Sequence, residues 1–222
     1  TLDGTLFPYT TLFRSFVMDL TENERKAAYR FYKKLGKQVD INLITYYDDV
    51  DHLEELYDLP VKAIGDDFIH GKENIKTISQ KGFPKDKTLI AGVVSGKNVF
   101  CSDPKKVLPL VNLLKKYSKD IMLSNAGPLY HLPETATSEN LPQELKGRVL
   151  FAREKLIEIS QLAKGKSERV EKLNTQANDS VTKRVGNLKN KDFKKNIPYE
   201  VRTIKHKAFL KLPKLPTTTI GS

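Results

Sequence analysis

Thr88-Leu89-Ile90-Ala91-Gly92-Val93-Val94 is a continuous apolar run of strand length, closed by the turn-forming Ser95-Gly96-Lys97-Asn98. A strand with one wet face alternates apolar and polar residues, whereas an unbroken run is the pattern of a strand in a parallel sheet covered by helices. Residues 39–47, 61–69 and 121–124 share that pattern. Helical patterns lie between them. Thr21-Glu22-Asn23-Glu24 is a capping box, followed by Ala28, Phe31, Tyr32 and Leu35 at helical spacing and closed by Gly36. A short acidic helix is expected over 51–57, a helix over 71–81, and another from Pro104 through Tyr117.

Strand and helix thus alternate four times with short connections, which predicts an α/β fold with a parallel sheet. Four such units make an open α/β sheet or half of an eight-stranded barrel, and periodicity does not choose between them. A long last helix is expected over 141–164, with Leu145, Val149, Ala152, Leu156, Ile159 and Ala163 along the face that packs on the sheet. Beyond Gly165 the apolar stripe weakens, and 167–207 reads as a polar, partly helical connector.

The chain has 222 residues, 39% hydrophobic, with 38 Lys and Arg against 27 Asp and Glu. That allows one globular domain and an appendage. No apolar run approaches the roughly 18 residues of a membrane span, and no export signal opens the chain. The single cysteine, Cys101, excludes an intramolecular disulfide and a thiolate-rich metal site within this chain. These features suit a cytoplasmic protein with no membrane partner. Of the net charge of +11, ten charges belong to residues 152–222, which carry 17 basic and 7 acidic side chains. The basic tail includes Lys189, Lys191, Lys194, Lys195, Lys205, Lys207, Lys211 and Lys214, with Phe193, Tyr199 and Phe209 interleaved. It reads as a solvated linker; a nucleic-acid-binding module is the alternative, because nothing gathers these residues on one face.

Both ends of the chain are abrupt. Residues 5–15, Thr-Leu-Phe-Pro-Tyr-Thr-Thr-Leu-Phe-Arg-Ser, resemble the in-frame translation of a common sequencing adapter at all eleven positions. Residues 1–15 are therefore expected to be a sequencing-adapter artefact rather than part of the natural protein. Leu215-Pro216-Thr217-Thr218-Thr219-Ile220-Gly221-Ser222 reads as a β-branched strand that begins and stops, so an assembled gene fragment is expected.

Chemistry-bearing residues are sparse. Gly92 to Asn98 is one residue short of a phosphate loop and has Asn98 where a magnesium-binding hydroxyl belongs, so a tight turn is the better reading. Asp48, Asp49, Asp66 and Asp67 fall at strand ends, where α/β folds place their chemistry, and are candidates for an acid–base pair against the commoner reading of solvated acids. His52, His70, His131 and His206 are scattered, with no second ligand at metal spacing.

The closing segment Leu212-Pro213-Lys214-Leu215-Pro216-Thr217-Thr218-Thr219-Ile220-Gly221-Ser222 closely resembles the stretch that opens the carboxy-terminal barrel of cobalamin-independent methionine synthases. Phe16-Val17-Met18-Asp19-Leu20, Leu43-Ile44-Thr45-Tyr46-Tyr47, Asp67-Phe68-Ile69-His70-Gly71, Gly92 to Val99, Ser124 to Pro133 and Tyr199-Glu200-Val201-Arg202 agree in order. Lys97 stands for a common Arg, and Cys101 and Ala126 fall in variable positions.

The resemblance implies a two-barrel, monomeric enzyme that transfers a methyl group from 5-methyltetrahydrofolate polyglutamate to homocysteine, with zinc holding the homocysteine thiolate. Residues 16–164 would then be the carboxy-terminal half, four β/α units, of a TIM-type (β/α)8 barrel. Residues 165–215 would form a basic, partly helical interdomain connector, and 216–222 the first strand of the catalytic barrel. The resemblance carries one site into this chain, the homocysteine-contacting Ile220, Gly221 and Ser222. The family's zinc ligands and proton donor lie later, so a chain inactive alone is expected. Half a barrel exposes strand edges, which favours aggregation or dimerisation.

Overall fold

The structure is a computed structural model that describes residues 9–12, 14–143, 145–165 and 178–217. The chain divides after residue 173 into two compact units. The first holds one parallel sheet of five strands: β1 (Tyr9–Leu12), β2 (Ile41–Ile44), β3 (Ala63–Asp67), β4 (Thr88–Val94) and β5 (Asp120–Asn125). Helices α1 (Glu22–Leu35), α2 (Leu53–Leu56), α3 (Lys72–Lys81), α4 (Pro104–Leu114) and α5 (Ala152–Ala163) follow the strands in turn. The strands stand side by side in chain order with no reversal. A doubly wound sheet reverses its order at a switch point, so this order is compatible with part of a β/α barrel.

Register explains the core. Leu43 aligns with Ile64, Ile64 with Leu89, and Leu89 with Ile121, giving one apolar row across four strands. Leu43, Ile64 and Leu89 are fully buried with Tyr32 of α1, Leu53 and Leu56 of α2, Ile78 of α3 and Val111 of α4. The adjacent row runs Ile44, Gly65, Ile90 and Met122 on the opposite face, and there Met122 is 56% exposed. The unbroken apolar runs therefore do not mean burial on both faces along the whole sheet.

Tyr9–Leu12 pairs in parallel with Ile41–Ile44 and Arg14–Val17 forms a 3-10 turn, a pairing that leaves the adapter origin expected for residues 1–15 untested. Without β1, β2 would present a row of unsatisfied backbone groups, and Tyr-Thr-Thr-Leu has the β-branched and aromatic composition that fills such an edge. The last helix starts at Ala152 rather than near residue 141. Gly147 takes φ 77°, and Val149 forms an antiparallel bridge with Phe100, so the chain cannot be helical there. The Glu154 carboxylate accepts from the Phe151 and Ala136 amides and fixes the helix start.

The Thr21 capping box is present, with the Thr21 amide donating to Glu24 Oε2 at 2.8 Å. Gly36 ends α1 in a right-handed conformation, and a side chain there would meet the Pro60 carbonyl. In the second unit α6 (Asp179–Gly186), a 3-10 turn at Asn190–Phe193 and α7 (Tyr199–Leu210) carry Lys191, Lys205 and Lys207, while Lys189, Lys194, Lys195, Lys211 and Lys214 lie outside these elements; Phe193, Tyr199 and Phe209 are exposed. Among the described residues no helix is long and apolar enough to cross a membrane.

Candidate functional site

The carboxyl ends of β2 to β5 bring together most of the polar residues singled out in the sequence. Asp66 and Asp67 are adjacent in a strand, so their side chains leave on opposite faces. The pair cannot act as one acid–base couple. Asp67 is fully buried, and its Oδ1 accepts from the amides of Ile69 at 2.7 Å and His70 at 2.9 Å. Its Oδ2 lies 2.8 Å from His70 Nδ1. A carboxylate only accepts, so Nδ1 donates, and the imidazole is partly exposed.

Asp49 Oδ1 accepts from the amides of Glu73 and Asn74 at the start of α3, where a carboxylate also complements the helix dipole. Asn74, which sequence reasoning missed, is the hub. Its Oδ1 accepts from the Val50 amide at 2.8 Å, and its Nδ2 donates to the carbonyls of Asp48 and Asp67. A side chain at Gly71 would meet both of those carbonyls. Three of the four aspartates at strand ends therefore hold loops together; Asp48 does so through its backbone.

Tyr46 and Tyr47 follow β2 with φ of 56° and 75°, conformations costly for aromatic residues and commonest at functional sites. Tyr46 accepts at its hydroxyl from Asn125 Nδ2 at 3.1 Å, and the Tyr47 amide donates to the Ala126 carbonyl. The Lys97 ammonium lies 5.7 Å from the Tyr47 ring centre, within cation–π range. The predicted turn after β4 is closed by Ser95, whose hydroxyl accepts from the Lys97 amide and Asn98 Nδ2. Gly96 is required because a side chain there would meet the Gly127 and Pro128 carbonyls.

Asp66 lies on the helix-covered side, 1% exposed. Burial pushes its carboxyl up to about 7, Asp67 adds to the shift, and a 3.3 Å hydrogen bond from Thr45 opposes it. Elsewhere, Arg25 Nη1 donates to His52 Nε2 at 2.7 Å beside a cleft of about 210 Å³ lined by Phe16, Leu20, Tyr29 and Val50.

Ile220, Gly221 and Ser222 lie outside the described residues. Among those described, no three His, Cys, Asp or Glu side chains gather as metal ligands. His70 is turned toward Asp67, and both ring nitrogens of His52 face protein partners, Nε2 toward Arg25 and Nδ1 toward Glu55. The described residues do not fit zinc.

Residues 14–119 match the family described as cobalamin-independent synthase, N-terminal domain. That stretch belongs to the cobalamin-independent synthase family. The matched residues run from the turn before α1 to the start of β5, so the synthase domain includes Tyr46, Asn74 and Lys97 at the strand ends. The chain is 36% identical over 215 residues to the 5-methyltetrahydropteroyltriglutamate–homocysteine methyltransferase of Thermotoga petrophila, covering 94% of this chain and 29% of that synthase. Proteins of the same name from Campylobacter jejuni subsp. doylei and Bacillus thuringiensis are 35% and 37% identical, over 93% and 91% of this chain and 30% of each relative. The chain thus spans about three-tenths of the length of the curated synthases it matches.

Proposed function

We propose that this chain supplies part of the scaffold of an enzyme of methionine biosynthesis that moves a methyl group from 5-methyltetrahydropteroyl polyglutamate to homocysteine. The observation that carries the reading is the match along more than nine-tenths of the chain to methyltransferases named for those two substrates. In this reading residues 16–164 are four β/α units of a TIM-type barrel, and 165–215 are the connector. Residues 216–222 open a second barrel. The strand order without reversal supports the first of these assignments.

Ile220, Gly221 and Ser222 would contact homocysteine at the carboxyl end of that strand. Glycine permits close approach of backbone to ligand, and the serine hydroxyl donates or accepts a hydrogen bond. Zinc finds no ligand set among the described residues, and no step is derived through it. The chain by itself transfers no methyl group in this reading. Its own residues hold the barrel segment and present the strand-end loops.

The test is a chimera in which residues 16–222 replace the corresponding segment of the Thermotoga petrophila relative. Methyl transfer to homocysteine by the chimera, with none by the isolated chain, is the expected result. A folded chimera that is inactive beside an active parent overturns the proposal.

A further inference from the structure

We infer that the cleft of about 210 Å³ between the segments that enter α1 and α2 is a binding site for a small apolar α-amino acid, with Arg25 holding its carboxylate. Residues 16–20 follow β1 and residues 50–52 follow β2, so the cleft lies past the carboxyl ends of two strands, the side on which β/α folds bind their ligands. Much of its lining is apolar. Phe16 and Val50 are 5% and 4% exposed, and the Tyr29 ring stacks on Phe16 with ring centres 6.1 Å apart.

Arg25 is held in place by the protein itself. Its Nη1 donates to His52 Nε2 at 2.7 Å and to the Leu20 carbonyl at 3.4 Å, and its buried Nε lies 3.7 Å from Glu55 Oε2. Those contacts leave Nη2 with no hydrogen-bond partner among the described residues, on a side chain that lines the cleft and is 19% exposed. An open guanidinium nitrogen donates well to a carboxylate, and a side chain already fixed loses little entropy in doing so.

The other charges choose the class of ligand. Asp19 and Asp51 line the same cleft, both exposed, and among the described residues neither carboxylate is in an ion pair. With one guanidinium against two carboxylates, a simple anion meets net repulsion and a simple cation leaves Arg25 unmatched. A zwitterion places its carboxylate on Arg25 and its ammonium against Asp19 or Asp51. Volume sets the side chain: a cavity of about 150 Å³ holds benzene, so this cleft takes an amino acid of leucine or methionine size and excludes a nucleotide.

Chemical-shift perturbation on the whole chain tests the site, with L-leucine and L-methionine titrated to about 10 mM, a range that reads millimolar affinity. Saturable shifts confined to residues 16–29 and 50–55 are expected. Isocaproate lacks the ammonium, isoamylamine the carboxylate and glycine the side chain, so each should bind about tenfold more weakly than leucine or worse. Arg25→Gln should weaken leucine by about the same factor. If that variant does not fold, the double variant Asp19→Asn, Asp51→Asn decides, because both groups are exposed, and in it isocaproate should bind as tightly as leucine. No saturable shift from either amino acid, or isocaproate equal to leucine on the wild type, overturns the proposal. So does a folded Arg25→Gln that binds leucine unchanged, or a double variant that still prefers leucine.

Discussion

Asn125, at the end of β5, donates its side-chain amide at 3.1 Å to the hydroxyl of Tyr46, just past β2, although β3 and β4 stand between those strands. A flat sheet would hold β2 and β5 about 14 Å apart. The bond is possible because the loops after β2 and β5 lean inward over the strand ends, where the Tyr47 amide also donates to the Ala126 carbonyl. The left-handed backbone of Tyr46 and Tyr47 is what turns the first loop in that direction.

Breaking that bridge should cost stability in proportion to the hydrogen bonds lost. Asn125 also donates to the Gly127 carbonyl at 2.8 Å, so Asn125→Ala is expected to cost about 2 kcal/mol and Tyr46→Phe about 1 kcal/mol. Urea unfolding of both single variants and the double variant should give a coupling near 1 kcal/mol, roughly the value of one hydrogen bond. Strict additivity would mean that the bond contributes nothing.

Asn74→Ala is expected to be the more damaging change, at about 3 kcal/mol, since it strands the Val50 amide and deprives two carbonyls of their donor in a site 1% exposed. Asn74→Asp should not rescue it, because the donors to Asp48 and Asp67 are lost and a charge is buried. Equilibrium unfolding checks both.

Lys155 is fully buried at the first turn of α5, with its ammonium donating to the Phe100 carbonyl at 2.8 Å. Burial lowers its pKa from 10.5, while Glu158 and Cys101 pull the other way. The unfolded chain therefore holds this proton to higher pH than the folded chain, and stability from this group rises with pH until the unfolded value is passed. Lys155→Met should show its largest gain in melting temperature over wild type near neutral pH. The gain should shrink toward pH 10.5, which thermal unfolding across that range reads directly.

For the proposed homocysteine contact, Ser222→Ala in the active chimera should raise KM for homocysteine about fivefold, the equivalent of one hydrogen bond of about 1 kcal/mol, with kcat little changed. Gly221→Val should abolish binding by blocking close backbone approach. An unchanged KM in both variants would remove these residues from the site.

Part of this was legible in the chain. Local chemistry marks β4 to the residue, the Thr21 cap and the start of α3, because apolar runs, capping hydroxyls and glycines act on their immediate neighbours. The segment 141–151 misleads, since Leu145 and Val149 have helical spacing but Val149 is recruited to a bridge with Phe100, some fifty residues earlier in the chain. Asn74 carries no signal at all; its importance comes from three backbone groups in two loops that only folding brings to it.

The sequence by itself determined the alternation of strands and helices, the separation of a neutral body from a basic tail, and the residues that resemble the synthases. Tertiary structure decided the strand order, the exposed face around Met122, and the fate of four neighbouring aspartates. Asp67 orients His70, Asp49 caps α3, Asp48 lends a carbonyl to Asn74, and Asp66 is shut away behind the sheet. The physical reason is that composition and spacing set what each residue prefers alone. Which face a carboxylate leaves from, and which donors meet it there, depends on register and on loops distant in sequence.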